Sequence, residues 1–76
     1  MNVDEIINAA IDLGTKCDIE SWIDLKKIVL ISIPSKDRSL FSTRDPKTKE
    51  QSLNQLEHAI ISSYEERTGI KLRIAE

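Results

Sequence analysis

The sequence predicts a small α+β domain in which two amphipathic helices cover one face of a three- to four-stranded mixed or antiparallel sheet, in the order α-β-β-α-β. Three observations carry that expectation. Apolar residues recur at helical spacing in an early and a late segment, each followed by a glycine. Residues 27–33 form a nearly continuous apolar run rich in β-branched side chains, which reads as a buried strand. Ile70, Leu72 and Ile74 alternate with Lys71 and Arg73, the period of a strand with one wet face.

The first helix is expected over residues 3–13. Asn2 with Glu5 has the capping-box spacing, Asp4 and Glu5 suit the positive end of the helix dipole, and Ile6, Ile7, Ala10 and Ile11 make one apolar stripe. Gly14 is the expected stop. Residues 15–25 admit two readings. Ser21 with Asp24 would cap a short helix carrying Trp22 and Leu25, while Ile19, Ser21, Ile23 and Leu25 would equally line one face of a strand.

Pro34 closes the apolar run, because proline cannot donate to a strand ladder. Residues 35–38 have turn composition, and 40–43 read as a short return strand of a hairpin. Asp45-Pro46 is expected to open the second helix, with Thr48 and Gln51 as a later capping pair. Leu53, Leu56, Ile60 and Tyr64 form its apolar face, and Gly69 is its left-handed stop. Glu65 and Glu66 sit near the helix C-terminus, where the dipole disfavours them; a solvated face is the expected reading, with a contact as the alternative.

A chain of 76 residues is one domain, spanning 1–76. A domain of that size buries only about 60% of the surface its unfolded chain exposes. Cys17 is the only cysteine, which excludes an internal disulfide and, with no signal segment in view, suggests a cytoplasmic setting. The longest unbroken apolar run, residues 28–31, is far short of the roughly 20 residues that cross a bilayer, so no membrane association is expected.

Catalytic and cofactor chemistry finds little support. One cysteine and one histidine do not make a zinc set. No serine lies in a nucleophile-elbow pattern, no glycine-rich loop could cradle a phosphate, and no calcium-loop spacing occurs. His58 lies about 140° around its helix from Leu53, on the expected solvent side. No cofactor or metal is therefore expected.

What remains is an uneven charge distribution. Residues 1–25 carry six acids against one base, and residues 26–49 carry seven bases against two acids. This bears on partners rather than on fold. The acidic third offers Asp18, Glu20 and Asp24 around Trp22 as a surface for a basic partner, tryptophan being enriched at binding hot spots, although in so small a domain the core is the expected place for it. The basic segment offers Lys36, Arg38, Arg44, Lys47 and Lys49 for a phosphate backbone, with Phe41 placed to stack on a base. The net charge of −2 speaks against that second use, since nucleic-acid binders carry a basic excess.

The expected function is a small, non-enzymatic protein-binding regulator or inhibitor, of the compact kind that phages and mobile elements encode. Two alternatives stand beside it: a nucleic-acid-binding module using residues 34–49, and a small non-catalytic subunit of an enzyme complex. Pairing of an acidic patch on one copy with a basic patch on another would also give a homodimer.

Overall fold

The structure, a computed structural model, describes residues 1–41 and 53–74. The described residues form three α-helices: α1 (Val3–Lys16), α2 (Trp22–Ser32) and α3 (Gln55–Thr68), with a 3₁₀ segment at Ser35–Leu40 after α2. Of the described residues, 71% are helical and 3% are in strand, which overturns the expected α+β fold with its three- to four-stranded sheet.

Helix α1 forms as its first turn predicts. The Asn2 side chain accepts the Glu5 N–H at 2.8 Å, satisfying one of the donors that a helix start leaves open. Ile6, Ala10 and Ile11 are buried and Ile7 is half-buried, so the apolar stripe faces inward as expected. The stop is not at Gly14: the helix runs through it to Lys16. Gly14 is needed for a different reason. A β-carbon there would collide with the Tyr64 ring and press on Leu25 Cδ1, so the missing side chain lets α3 and α2 close against α1.

The true end of α1 is a Schellman turn. The Ile19 N–H donates to the Gly14 carbonyl at 2.9 Å and the Asp18 N–H to the Thr15 carbonyl at 3.4 Å. Asp18 occupies the left-handed position with φ 53°, where glycine is the usual residue.

The apolar run over residues 27–33 lies in helix α2 and not in a strand. Trp22, Leu25, Lys26, Val29 and Ile33 are buried, a spacing of three, four, seven and eleven residues that belongs to one helical face. Ile31, in the middle of the run, is 77% exposed. β-branched composition is a weak prior, and packing of this face against α1 overrides it. Of the two readings of residues 15–25, the helix holds from Trp22 onward. Ser21 stands at the N-cap without a side-chain capping bond. Pro34 does end the element: Ile33 is extended at φ −96° and ψ 158°, as the residue before a proline prefers.

The expected return strand at 40–43 is absent where the structure describes it. Leu40 ends the 3₁₀ segment, Phe41 is a single extended residue, and 42–43 lie outside the described residues, as do Asp45-Pro46 and the Thr48–Gln51 pair. Helix α3 instead carries a capping box at Asn54. The Asn54 side chain accepts from the Glu57 N–H at 2.9 Å, and the Glu57 carboxylate accepts from the Asn54 N–H at 3.3 Å. Ile60 and Tyr64 are buried, Leu53 and Leu56 half-buried, and Gly69 ends the helix at φ 73°.

The tail alternates as expected, with Leu72 buried and Lys71 and Arg73 exposed. It makes no sheet. It forms one parallel bridge, Ser21 with Arg73, in which the Trp22 N–H donates to the Arg73 carbonyl and the Arg73 N–H to the Glu20 carbonyl, both at 2.8 Å. That bridge serves the N-terminus of α2, whose first amide is satisfied by backbone from the far end of the chain. Glu65 completes the clasp by accepting the Leu72 N–H at 2.9 Å, while Glu66 is exposed.

Helix α1 packs on both α2 and α3, and the core joins Ile6, Ala10 and Ile11 to Trp22, Leu25, Val29, Phe41, Ile60 and Tyr64. Burying side chains of this size contributes about 1.5–3 kcal/mol each. Inside this apolar wall lies an ion pair: Lys26 Nζ is 3.2 Å from Glu57 Oε2, with the two side chains 6% and 0% exposed. It fastens α2 to the capped start of α3.

Candidate functional site

The α1–α2 corner is built from the Schellman turn and the tail bridge together. The turn fixes Asp18 and sends Ile19 into the core, and the bridge holds Glu20 and Ser21 extended beside Arg73. Asp18 and Glu20 therefore stand exposed on either side of a buried residue. Asp24 is exposed one turn into α2. The four residues expected to share an acidic face separate at this point. Asp18, Glu20 and Asp24 reach solvent, while Trp22 is 0% exposed and belongs to the core. Its indole N–H has no acceptor among the described residues.

The corner is pinned from below. The Tyr64 hydroxyl donates a 2.6 Å hydrogen bond to the Ile19 carbonyl. Burial pushes the Tyr64 pKa above its usual 10.0, and the negative charges of Asp18 and then Glu20 push it further in the same direction. Both carboxylates thus sit close enough to the hydroxyl to act on it through space. The corner is an acidic patch held by the Schellman turn, the tail bridge and the Tyr64 hydrogen bond.

The basic segment is placed differently. Lys36 and Arg38 are exposed on the 3₁₀ segment, but the Arg38 Nε donates a 2.7 Å hydrogen bond to the Leu30 carbonyl, capping the end of α2. Phe41 is 4% exposed and packs in the core, so its ring is not available for stacking on a base. Arg44, Lys47 and Lys49 lie outside the described residues.

The remaining candidates are dispersed. Cys17 is exposed at the end of α1, and His58 is exposed on α3. Among the described residues no group of three or more His, Cys, Asp or Glu side chains is arranged to hold a metal ion. No described helix is long and apolar enough to cross a membrane. The features that sequence reasoning missed are the Lys26–Glu57 pair and the Asn54 capping box. The Asn54–Glu57 spacing repeats that of Asn2–Glu5 and was the signal available for the second. Comparison of the chain with protein-family models, with curated proteins and with solved structures returns no match.

Proposed function

We propose that this is a non-enzymatic, cytoplasmic protein-binding regulator or inhibitor that docks a basic surface of its partner on the corner of Asp18 and Glu20, flanked by Asp24. The observation that carries the reading is Asp18 itself. A charged, exposed side chain occupies a left-handed backbone position at which glycine would be less strained. An exposed carboxylate there adds to a patch that would attract a basic partner. The alternative use of the basic segment on nucleic acid is less favoured, because Phe41 and Arg38 are occupied within the fold.

The test is affinity capture from lysate of the source cells, with and without nuclease, using the native chain and an Asp18→Gly, Glu20→Lys variant. One discrete protein that survives nuclease and is lost from the variant is the expected result. Recovery that disappears with nuclease would sink this reading and move the site to Lys36 and the bases beyond it. A captured protein indifferent to both substitutions would put the contact elsewhere on the surface.

A further inference from the structure

The start of α2 is completed by a segment that is itself lightly held. Ser21 offers α2 no side-chain cap, and the Trp22 N–H and the Glu20 carbonyl are paired instead with the carbonyl and N–H of Arg73. Segment 70–74, which supplies them, makes a single bridge, buries Leu72 and lends one further amide to Glu65. Ile70 and Ile74 are half-buried. The segment hangs from Gly69, left-handed at φ 73° with open space where a side chain would stand. Its exposed Lys71 and Arg73 form no ion pair with Asp18, Glu20 or Asp24 among the described residues. Backbone and apolar contact, rather than charge, hold it at an acidic corner.

We infer that the backbone edge at Glu20 and Trp22 is a strand-pairing site, filled by segment 70–74 in the resting chain, where a basic, extended segment of a protein partner takes its place. This rests on the docking reading of the corner and specifies the form of the partner. In such pairing the main chain supplies attachment and alternate side chains supply selectivity. The resident segment defines the pattern: extended, parallel to residues 20–22, an apolar residue to refill the Leu72 position, and basic residues on the wet side. A partner segment that also meets Asp18, Glu20 and Asp24 gains ion contacts that the resident one lacks, which favours the exchange. Because the resident segment blocks the edge, affinity is reduced by the fraction of chains in which it is lifted away.

The test uses an acetylated, amidated peptide with the sequence of Ile70–Ile74, titrated into the full chain and followed by NMR at the Trp22 backbone amide. Arg73→Pro removes the N–H that holds the resident segment to Glu20, and Glu65→Ala removes the acceptor of the Leu72 N–H. Each variant should bind the peptide at least about tenfold more tightly than the native chain, with helix content unchanged. If Arg73→Pro does not fold, Glu65→Ala decides. A peptide N-methylated at its arginine should bind the variants about tenfold more weakly. Equal affinity for native chain and variants, no binding to any of them, or an N-methylated peptide that binds as well would each overturn the inference. In partner capture, excess peptide should release the captured protein. Capture that depends on Asp18 and Glu20 but ignores the peptide overturns strand pairing and leaves the docking reading standing. Peptide binding by the variants with no protein captured does the reverse.

Discussion

The Tyr64 hydroxyl and the Ile19 carbonyl, 45 residues apart in sequence, meet at 2.6 Å in the interior. This bond ties the last turns of α3 to the corner that carries Asp18 and Glu20. Tyr64→Phe keeps the ring against Gly14 but leaves a buried carbonyl without its donor. A loss of about 1–3 kcal/mol in unfolding free energy is expected, measured by urea denaturation. A change below about 0.5 kcal/mol would show that the carbonyl finds another donor.

The same bond gives the fold an alkaline limit. Tyr64 in the folded chain holds its proton more tightly than the free phenol does, because burial and then Asp18 and Glu20 oppose the phenolate. The folded state therefore binds more protons than the unfolded state once pH passes the free value of 10.0. The stabilisation is complete below that pH and is lost as pH rises from it through the folded value. The informative measurement is the difference between native chain and Tyr64→Phe, which isolates the one phenol. The native chain should lose stability more steeply above pH 10.0, and parallel curves would refute the linkage.

Gly14→Ala sets two effects against each other. Helix propensity alone favours alanine by about 1 kcal/mol. The new β-carbon, however, meets the Tyr64 ring and lies 3.1 Å from Leu25 Cδ1, and neither neighbour is a flexible chain end free to swing away. Overpacking of this kind costs typically about 1–3 kcal/mol, so the net change should be destabilising and visible as a lower melting temperature. A stabilised variant would mean that α1 and α3 can part at no cost.

Asp18→Gly should act in the opposite direction. The substitution relieves a left-handed residue with φ 53° and leaves the two Schellman hydrogen bonds in place. A gain of up to about 1 kcal/mol is expected by chemical denaturation. Stabilisation combined with loss of partner capture would separate what the fold asks of this position from what binding asks.

Local signals in this chain were legible, and signals that depend on a distant partner were not. Asn2, Gly69 and the Ile60–Tyr64 face could be read because each depends on residues within one or two turns. The alternation of residues 70–74 was also read correctly. Yet extended backbone becomes a sheet only if strands exist to receive it, and here one bridge to Ser21 is what it finds. The run over 27–33 misled because a short apolar stretch has no period of its own. The helical spacing emerges only when Trp22 and Leu25 are counted in the same element. Asp18 and Glu20 are legible as surface acids, and Trp22, which so small a domain is expected to bury, belongs to the core. Gly14 read as a stop because the close approach that requires it involves Tyr64, 50 positions on.

Lys26 is the sharpest case, a lysine in the buried face of α2 that faces Glu57 across the core. Breaking such a pair from one side costs about 3–5 kcal/mol, because a charge stays behind in the interior. Lys26→Met should therefore destabilise by an amount in that range, even though methionine suits the apolar surroundings. Adding Glu57→Gln removes the carboxylate charge that faced Lys26 while keeping an oxygen that can accept from the Asn54 N–H. The double variant should accordingly be more stable than Lys26→Met alone, with a coupling of about 1–3 kcal/mol in a double-mutant cycle. Additive losses would show that the two side chains are held independently, and that α2 and the start of α3 are joined by packing rather than by charge.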